Sequence, residues 1–368
     1  MDVSRARVGG EMPLDRVPGF RIIGVLGYGA SGSVFEAIRS STGERVALKV
    51  MRNLDGSKLE RFQREAGLHM ELDHPIIVEA RAWGIIDARS GWIAFERLYG
   101  GDLSKYIHAP DLSFEGRLEV LAAVAEALHH GHERGVIHRD VKPHNIFITR
   151  DGQPRLLDFG VAKLVEHPLT ASGRILGTPG YLAPEYILEM PVDRRADVFG
   201  LGVTAYEVLS GLRPWSADEA HTLLVRICTV APRRFETVTS ESPVPIPEEA
   251  TARLSAIIHR AIAHDPKHRY STAQALGEAF RDLLVGHDTV TMTRPTPVVE
   301  ASRLEWARAR AARIEHEGRS REPEVASLSD ALTLDRVLTS SHQAFWALVV
   351  LTSAFFALAA GVLLRWPN

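Results

Sequence analysis

The chain has 368 residues, 45% of them hydrophobic and 24% charged, with a formal net charge of −3. That size suits one large two-lobed unit or two compact units with added segments, and the charge gives no argument for nucleic acid as a partner. The single cysteine, Cys228, excludes an internal disulfide, and no Cys/His cluster suggests zinc, so a reducing compartment fits.

Residues 1–19 are polar with Gly and Pro and read as a flexible lead, without the apolar run of a secretory signal. From Phe20 the chain reads as strands over 20–26, 33–39 and 44–50, separated by glycine-bearing turns. Residues 57–72 change to a helical pattern, with Leu59, Phe62, Ala66 and Met70 about one turn apart. Strand-like stretches at 76–86 and 91–98 follow. Beyond Gly100-Gly101 the pattern turns helical, including 114–135, 198–211 and 250–265. A strand-rich lobe followed by a helix-rich lobe predicts an α+β fold with a cleft between the lobes.

The compact part is expected to end near Leu284, and residues 285–344 read as a Thr/Pro-rich linker and a charged juxtamembrane segment. Within it, residues 302–317 are helix-prone, with Leu304, Ala307, Ala311 and Ile314 in a narrow stripe. A solvated stalk is one reading; a helix for self-association into a homodimer, or for a membrane surface, is the other. Phe345 to Leu364 carry no charge, and as a helix they would run ~30 Å, the thickness of a bilayer core. With Trp346 and Trp366 near its two ends, this stretch predicts a transmembrane helix rather than a buried core helix. Residues 365–368 form a short tail.

Gly27-Tyr28-Gly29-Ala30-Ser31-Gly32-Ser33-Val34, preceded by Leu26, fits G-x-G-x-x-G-x-V between two strands. That placement speaks against a dinucleotide fold and suits a hairpin whose bare amides cover ATP phosphates, with a plain glycine turn as the competing reading. Lys49 ends Val46-Ala47-Leu48-Lys49, where it would reach the α- and β-phosphates, while Ala47 and Val34 leave apolar room for adenine. Glu65 in the next helix supplies the carboxylate expected to pair with Lys49. In His138-Arg139-Asp140-Val141-Lys142-Pro143-His144-Asn145, Asp140 is placed to accept the proton of a substrate hydroxyl and Lys142 to neutralise a transferring phosphate. Asn145 and Asp158 of Asp158-Phe159-Gly160 offer hard oxygen donors for Mg2+, with Mn2+ as a substitute. Each residue alone is more often a surface charge or a cap; the order and spacing H-R-D-x-x-x-x-N, then D-F-G, carry the reading.

On these motifs, residues 20–284 resemble the serine/threonine protein kinases of the bacterial, eukaryotic-like group. The resemblance implies a bilobal kinase fold, ATP as a substrate and proteins as the other. It makes Gly177 to Glu185, including Thr178, a peptide-positioning loop, and Asp197 a buried anchor of the catalytic loop. It pairs Arg269 with Glu185, places Phe95 behind adenine, and puts Glu96 and Leu98 in the ATP-binding hinge. Lys142 implies Ser/Thr specificity. Arg139 and Lys163 are expected to converge on an activation loop whose Thr170 and Ser172 become phosphorylated, relieving their repulsion; soluble spacer hydroxyls are the alternative. Two positions depart from the pattern. His69 stands where an aliphatic residue usually stacks with His138 and Phe159, and Arg97 stands in the hinge, where it is expected to project into solvent. The whole chain then reads as a kinase anchored by its C-terminal helix, with the catalytic domain in the cytoplasm. Its rivals are a membrane-tethered pseudokinase scaffold and a small-molecule phosphotransferase, the latter having no need of the segment 177–185.

Overall fold

The computed structural model describes residues 17–284 apart from 30–31, 55, 110 and 160–178. Strands β1 (Phe20–Gly29), β2 (Gly32–Arg39) and β3 (Arg45–Met51) form a meander, followed by helix α1 (Gly56–Met70). Strands β4 (Ala80–Asp87) and β5 (Ser90–Glu96) complete a five-stranded antiparallel sheet in the order β1-β2-β3-β5-β4. Successive side chains of a strand point to opposite faces, and β3 shows this clearly. Ala47 and Met51 join Phe62 of α1, Ile93 and Phe95 in one core, whereas Val46, Leu48 and Val50 pack with Phe20 and Phe35 in another. Lys49 shares the parity of Ala47 and Met51. The pleat therefore carries its ammonium to the α1 side of the sheet.

The strand expected over 76–86 begins only at Ala80. Residues before it bond to the other lobe instead: Leu156 N donates to Ile76 O at 2.6 Å, and Val78 N donates to Leu156 O at 3.0 Å. The interlobe bond thus replaces the first rungs of the ladder.

The second lobe holds β6 (Gly100–Asp102), α2 (Phe114–Glu133), β7 (Ile146–Thr149), β8 (Pro154–Leu156), α3 (Pro184–Ile187) and α4 (Arg195–Ser210). Helices α5 (Ala220–Thr229), α6 (Glu248–Ala261) and α7 (Ala273–Leu284) complete it. Strands β6 to β8 form a small antiparallel sheet, too short to show an alternating pattern in sequence. Helix α4 is buried around nearly its whole circumference, as expected of a central core helix. Ser113 caps α2 by accepting from Gly116 N, and Gly211 ends α4 with φ +77°, a left-handed conformation that glycine adopts without strain.

Arg117 on α2 is fully buried without a carboxylate partner. Its guanidinium donates to the carbonyls of Leu112 (2.9 Å), Ile107 (3.0 Å), Tyr106 (2.7 Å), Ala109 (2.8 Å) and Val208. One side chain thereby fastens the 106–112 loop to both α2 and α4. Among the described residues no helix is long and apolar enough to cross a membrane. The lead over 1–16, the linker and the expected span at 345–364 lie outside the described residues.

Candidate active site

Three layers converge on the space between the lobes. The upper one is the β1–β2 hairpin, in which Gly27 pairs with Val34, Tyr28 with Ser33 and Gly29 with Gly32. Gly32 has φ +145°, and a Cβ there would strike the Val50 carbonyl, so only glycine fits. Leu26 and Tyr28 project outward as exposed side chains at the hairpin. Ala30 and Ser31, at its tip, lie outside the described residues. Behind the hairpin, Ala47 pairs with Phe95 and Val46 with Glu96 across β3 and β5. Phe95 is buried, with its ring edge-on to His69 at 5.3 Å. Leu98, partly buried, packs against the same core.

The second layer is electrostatic. Lys49 is buried, and its Nζ lies 2.6 Å from Asp158 Oδ1. Burial alone would push the Asp158 carboxyl up, but the Lys49 charge overcomes this and holds it below the usual carboxylate range. Asp158 has φ +56°, a left-handed conformation rare for a residue with a side chain. The expected Lys49–Glu65 pair is absent. Glu65 Oε2 is instead buried without a hydrogen-bond partner. Burial raises its pKa to about 7, against the opposing fields of Arg139, Arg61 and Arg64. The physical reason is competition: one ammonium within 3 Å of Asp158 is committed there, and Glu65 lies in the field of the catalytic-loop arginine instead.

The third layer is the catalytic loop. Lys142 Nζ meets Asp140 Oδ2 at 2.7 Å. Asn145 Nδ2 donates to the Asp140 carbonyl at 2.8 Å and to its Oδ2 at 2.9 Å, with the amide orientation assigned from this network. That orientation turns the Asn145 Oδ1 acceptor away from Asp140. Asp197, buried under the loop, accepts from His138 N at 2.8 Å and Arg139 N at 2.7 Å, and touches His132 Nε2 at 2.7 Å. These contacts fix Arg139 at φ +64°, a strained value for a residue with a side chain. His138 accepts from Asp140 N at its Nδ1, so its Nε2 carries the proton donated to Leu157 O at 2.8 Å. Burial keeps that ring neutral by lowering its pKa.

His69 is buried, and burial lowers its pKa too. Its Nδ1 faces Phe159 O at 3.2 Å and its Nε2 faces Val78 O at 3.3 Å. Phe159 itself packs edge-on to His138 at 5.0 Å and covers Gly131 so closely that a Cβ there would clash. The polar ring therefore sits edge-on to Phe95 and faces the backbone oxygens of Phe159 and Val78. Arg97 does not project freely into solvent, as its sequence position had suggested: its Nε lies 3.4 Å from Glu36 Oε1, and its guanidinium covers the Tyr99 ring at 4.5 Å. A carboxylate and an aromatic face within reach of the hinge hold it down.

Beyond the cleft, Arg269 grips Glu185 with two hydrogen bonds of 2.7 and 2.8 Å, and donates to the carbonyls of Ala263, Arg195 and His264. Tyr181 donates its hydroxyl to Glu207 Oε2. Lys163, Thr170, Ser172 and Thr178 lie outside the described residues. Sequence reasoning passed over His132, one of three histidines in HHGHERG, because only the fold tells which of them reaches Asp197. It likewise passed over Glu207, whose partner Tyr181 lies on another element.

A family model described as the protein kinase domain matches residues 20–281. Serine/threonine-protein kinase PknA of Mycobacterium tuberculosis is 32% identical over 276 residues, covering 73% of this chain and 62% of PknA. Pkn1 of Myxococcus xanthus is 34% identical over 291 residues, covering 77% of this chain and 40% of Pkn1. The chain thus spans less than two thirds of the length of these relatives. Among solved structures, Rad53 1–466 in complex with AMP-PNP matches with a TM-score of 0.57 at 27% identity, over 71% of this chain and 65% of that one.

Proposed function

Since the chain belongs to the protein kinase family, we propose that it transfers the γ-phosphoryl group of ATP to serine and threonine hydroxyls of proteins, itself included. The observation that carries this reading is the convergence of Lys142 and Asn145 on Asp140. Transfer of a phosphoryl group asks a protein mainly for positioning and for charge. Asp140, oriented by Asn145, accepts the proton of the incoming hydroxyl. Lys142, already beside that carboxylate, meets the charge on the transferring group. Lys49 and the amides of the Gly27–Gly32 hairpin hold the remaining phosphates.

Asn145 and Asp158 fit a divalent cation. Asp158 is held ionised by Lys49, and Asn145 keeps its Oδ1 free of Asp140. Magnesium bound there would supply positive charge between the phosphates, with water and phosphate oxygens completing its shell. Glu65 serves the site in a second arrangement, in which Lys49 leaves Asp158 for it. Phosphorylation at Thr170 and Ser172, drawing in Arg139 and Lys163, is the proposed switch toward that arrangement. The apolar stretch 345–364 is proposed to hold the kinase at a membrane with its catalytic domain in the cytoplasm.

The test is phosphosite mapping of full-length protein after incubation with Mg-ATP, beside Asp140→Asn. The substitution is expected to lower transfer at least a hundredfold while nucleotide binding persists, because the base is lost and the phosphate clamp stays. Near-normal turnover in that variant would sink the assignment. Membrane attachment is tested separately by fractionation of the full chain against one ending at residue 344.

A further inference from the structure

Arg213 is a cation that the transfer chemistry above does not use. It follows α4 and lies beside the segment 179–185, where a Cβ built on Gly180 would stand 3.0 Å from its Nη1. The guanidinium therefore occupies the space that a side chain at 180 would need, and with glycine there it stays open, its side chain 40% exposed. Its ion-pair partner is Glu207, at 3.7 Å from Nε to Oε1, which is beyond hydrogen-bond reach. The two buried arginines of this lobe are used very differently. Arg117 and Arg269 commit their donors to backbone carbonyls and a carboxylate, whereas Arg213 makes no hydrogen bond among the described residues.

Glu207 is also committed elsewhere, since its Oε2 accepts the Tyr181 hydroxyl. It is thus poorly placed to recruit a basic residue of a substrate, and it competes only weakly for Arg213. The backbone of Tyr181 and that of Val141, the residue after Asp140, both border Gly200 of α4, so this corner lies beside the catalytic loop where the acceptor hydroxyl must sit.

We propose that Arg213 is a specificity-determining residue that receives an acidic side chain of the protein substrate, close to the phosphoacceptor. The proposal rests on the reading that segment 177–185 docks the substrate peptide. A planar guanidinium with free donors matches a carboxylate with two parallel hydrogen bonds.

The experiment uses the full chain, Mg-ATP and single-serine peptides carrying Glu, Ala, Lys or phosphoserine at each flanking position in turn. Wild type is expected to prefer Glu over Ala at one position by about five- to tenfold in kcat/KM, expressed mainly in KM. In Arg213→Ala that ratio collapses toward one. In Arg213→Glu it inverts toward Lys, an outcome that loss of packing alone does not produce. A Glu preference that survives Arg213→Ala, or an equal loss for Glu and Ala peptides, overturns the proposal. A phosphoserine preference that far exceeds the Glu preference overturns the choice of a carboxylate. Gly180→Trp separates the two readings. If it blocks peptide phosphorylation while the wild-type profile is flat, Arg213 is wrongly assigned; if peptides are phosphorylated normally, the docking segment itself is.

Discussion

The carboxylates beneath the catalytic loop, Asp197 and Glu185, are buried, Asp158 and Glu65 are half-buried, and the two sets are partnered in opposite ways. Asp197 receives two backbone N–H groups and His132, and Glu185 receives both arms of Arg269. Every charge there is answered by hydrogen bonds of 2.7–2.8 Å. Facing the cleft, the buried Lys49 ammonium takes Asp158, and Glu65 Oε2 is left without a hydrogen-bond partner. A saturated cluster has one arrangement. A site with an unanswered carboxylate oxygen has a further pairing open to it, which is what a switch requires. The lower lobe fixes the catalytic loop, and the upper lobe leaves Glu65 Oε2 unanswered.

The largest effect should come from breaking the saturated side. Asp197→Ala strands two backbone N–H groups and a buried histidine, and should cost about 3–5 kcal/mol of stability in urea denaturation. Asp197→Asn, which keeps one acceptor, should lose less. A stable Asp197→Ala protein would show that the loop is held by something else. Next comes Lys49→Met, which leaves Asp158 without its cation. Nucleotide turnover should drop about a hundred- to a thousandfold, with little loss of fold, since Asp158 can take up a proton.

Glu65→Gln sharpens the comparison through pH. The folded pKa of Glu65, about 7, lies above its ordinary 4.5, so the native state holds a proton that the unfolded chain releases between those values. Wild type should therefore lose stability as pH rises through that window, with the loss complete above about 7. Glutamine does not titrate. Thermal melts at pH 5 and pH 8 should show Glu65→Gln gaining on wild type at the higher pH, and a constant difference would refute the buried, unpartnered carboxyl.

What the sequence made legible follows from the same division. Order and spacing matched to the kinase motif put Asp140, Lys142, Asn145 and Asp158 in one expected site, and within it Lys142 and Asn145 meet Asp140 because the loop between them is short. The Glu185–Arg269 and Asp197 contacts came from resemblance, and the geometry carries both. The partner of Lys49 was not legible. Asp158 and Glu65 are both compatible with its position on β3, and the choice depends on a balance of burial and charge that no local pattern encodes. Arg97 was misjudged for a related reason: Glu36 and Tyr99, which hold it, come from β2 and from beyond the hinge.

The smallest effect is expected at His69, and its sign is informative. A neutral imidazole has one N–H, so it can donate to Phe159 O or to Val78 O, and not to both at once. His69→Leu therefore removes one hydrogen bond, worth about 0.5–1.5 kcal/mol. Against this it adds aliphatic surface between Phe95 and the Phe159 segment, a gain of similar size. Near pH 8 the two should cancel to within about 1 kcal/mol. Acidification should separate them. Burial holds the His69 pKa below its ordinary 6.5, so under that value the unfolded chain binds a proton that the native state refuses. Wild type should then lose stability relative to His69→Leu as pH falls from 7 to 5, the reverse of the trend that Glu65→Gln isolates four residues away. If both substitutions moved stability in the same direction with pH, α1 would not be carrying a buried neutral base and a buried neutral acid toward the cleft. The pairing of Lys49 would then have to be explained without it.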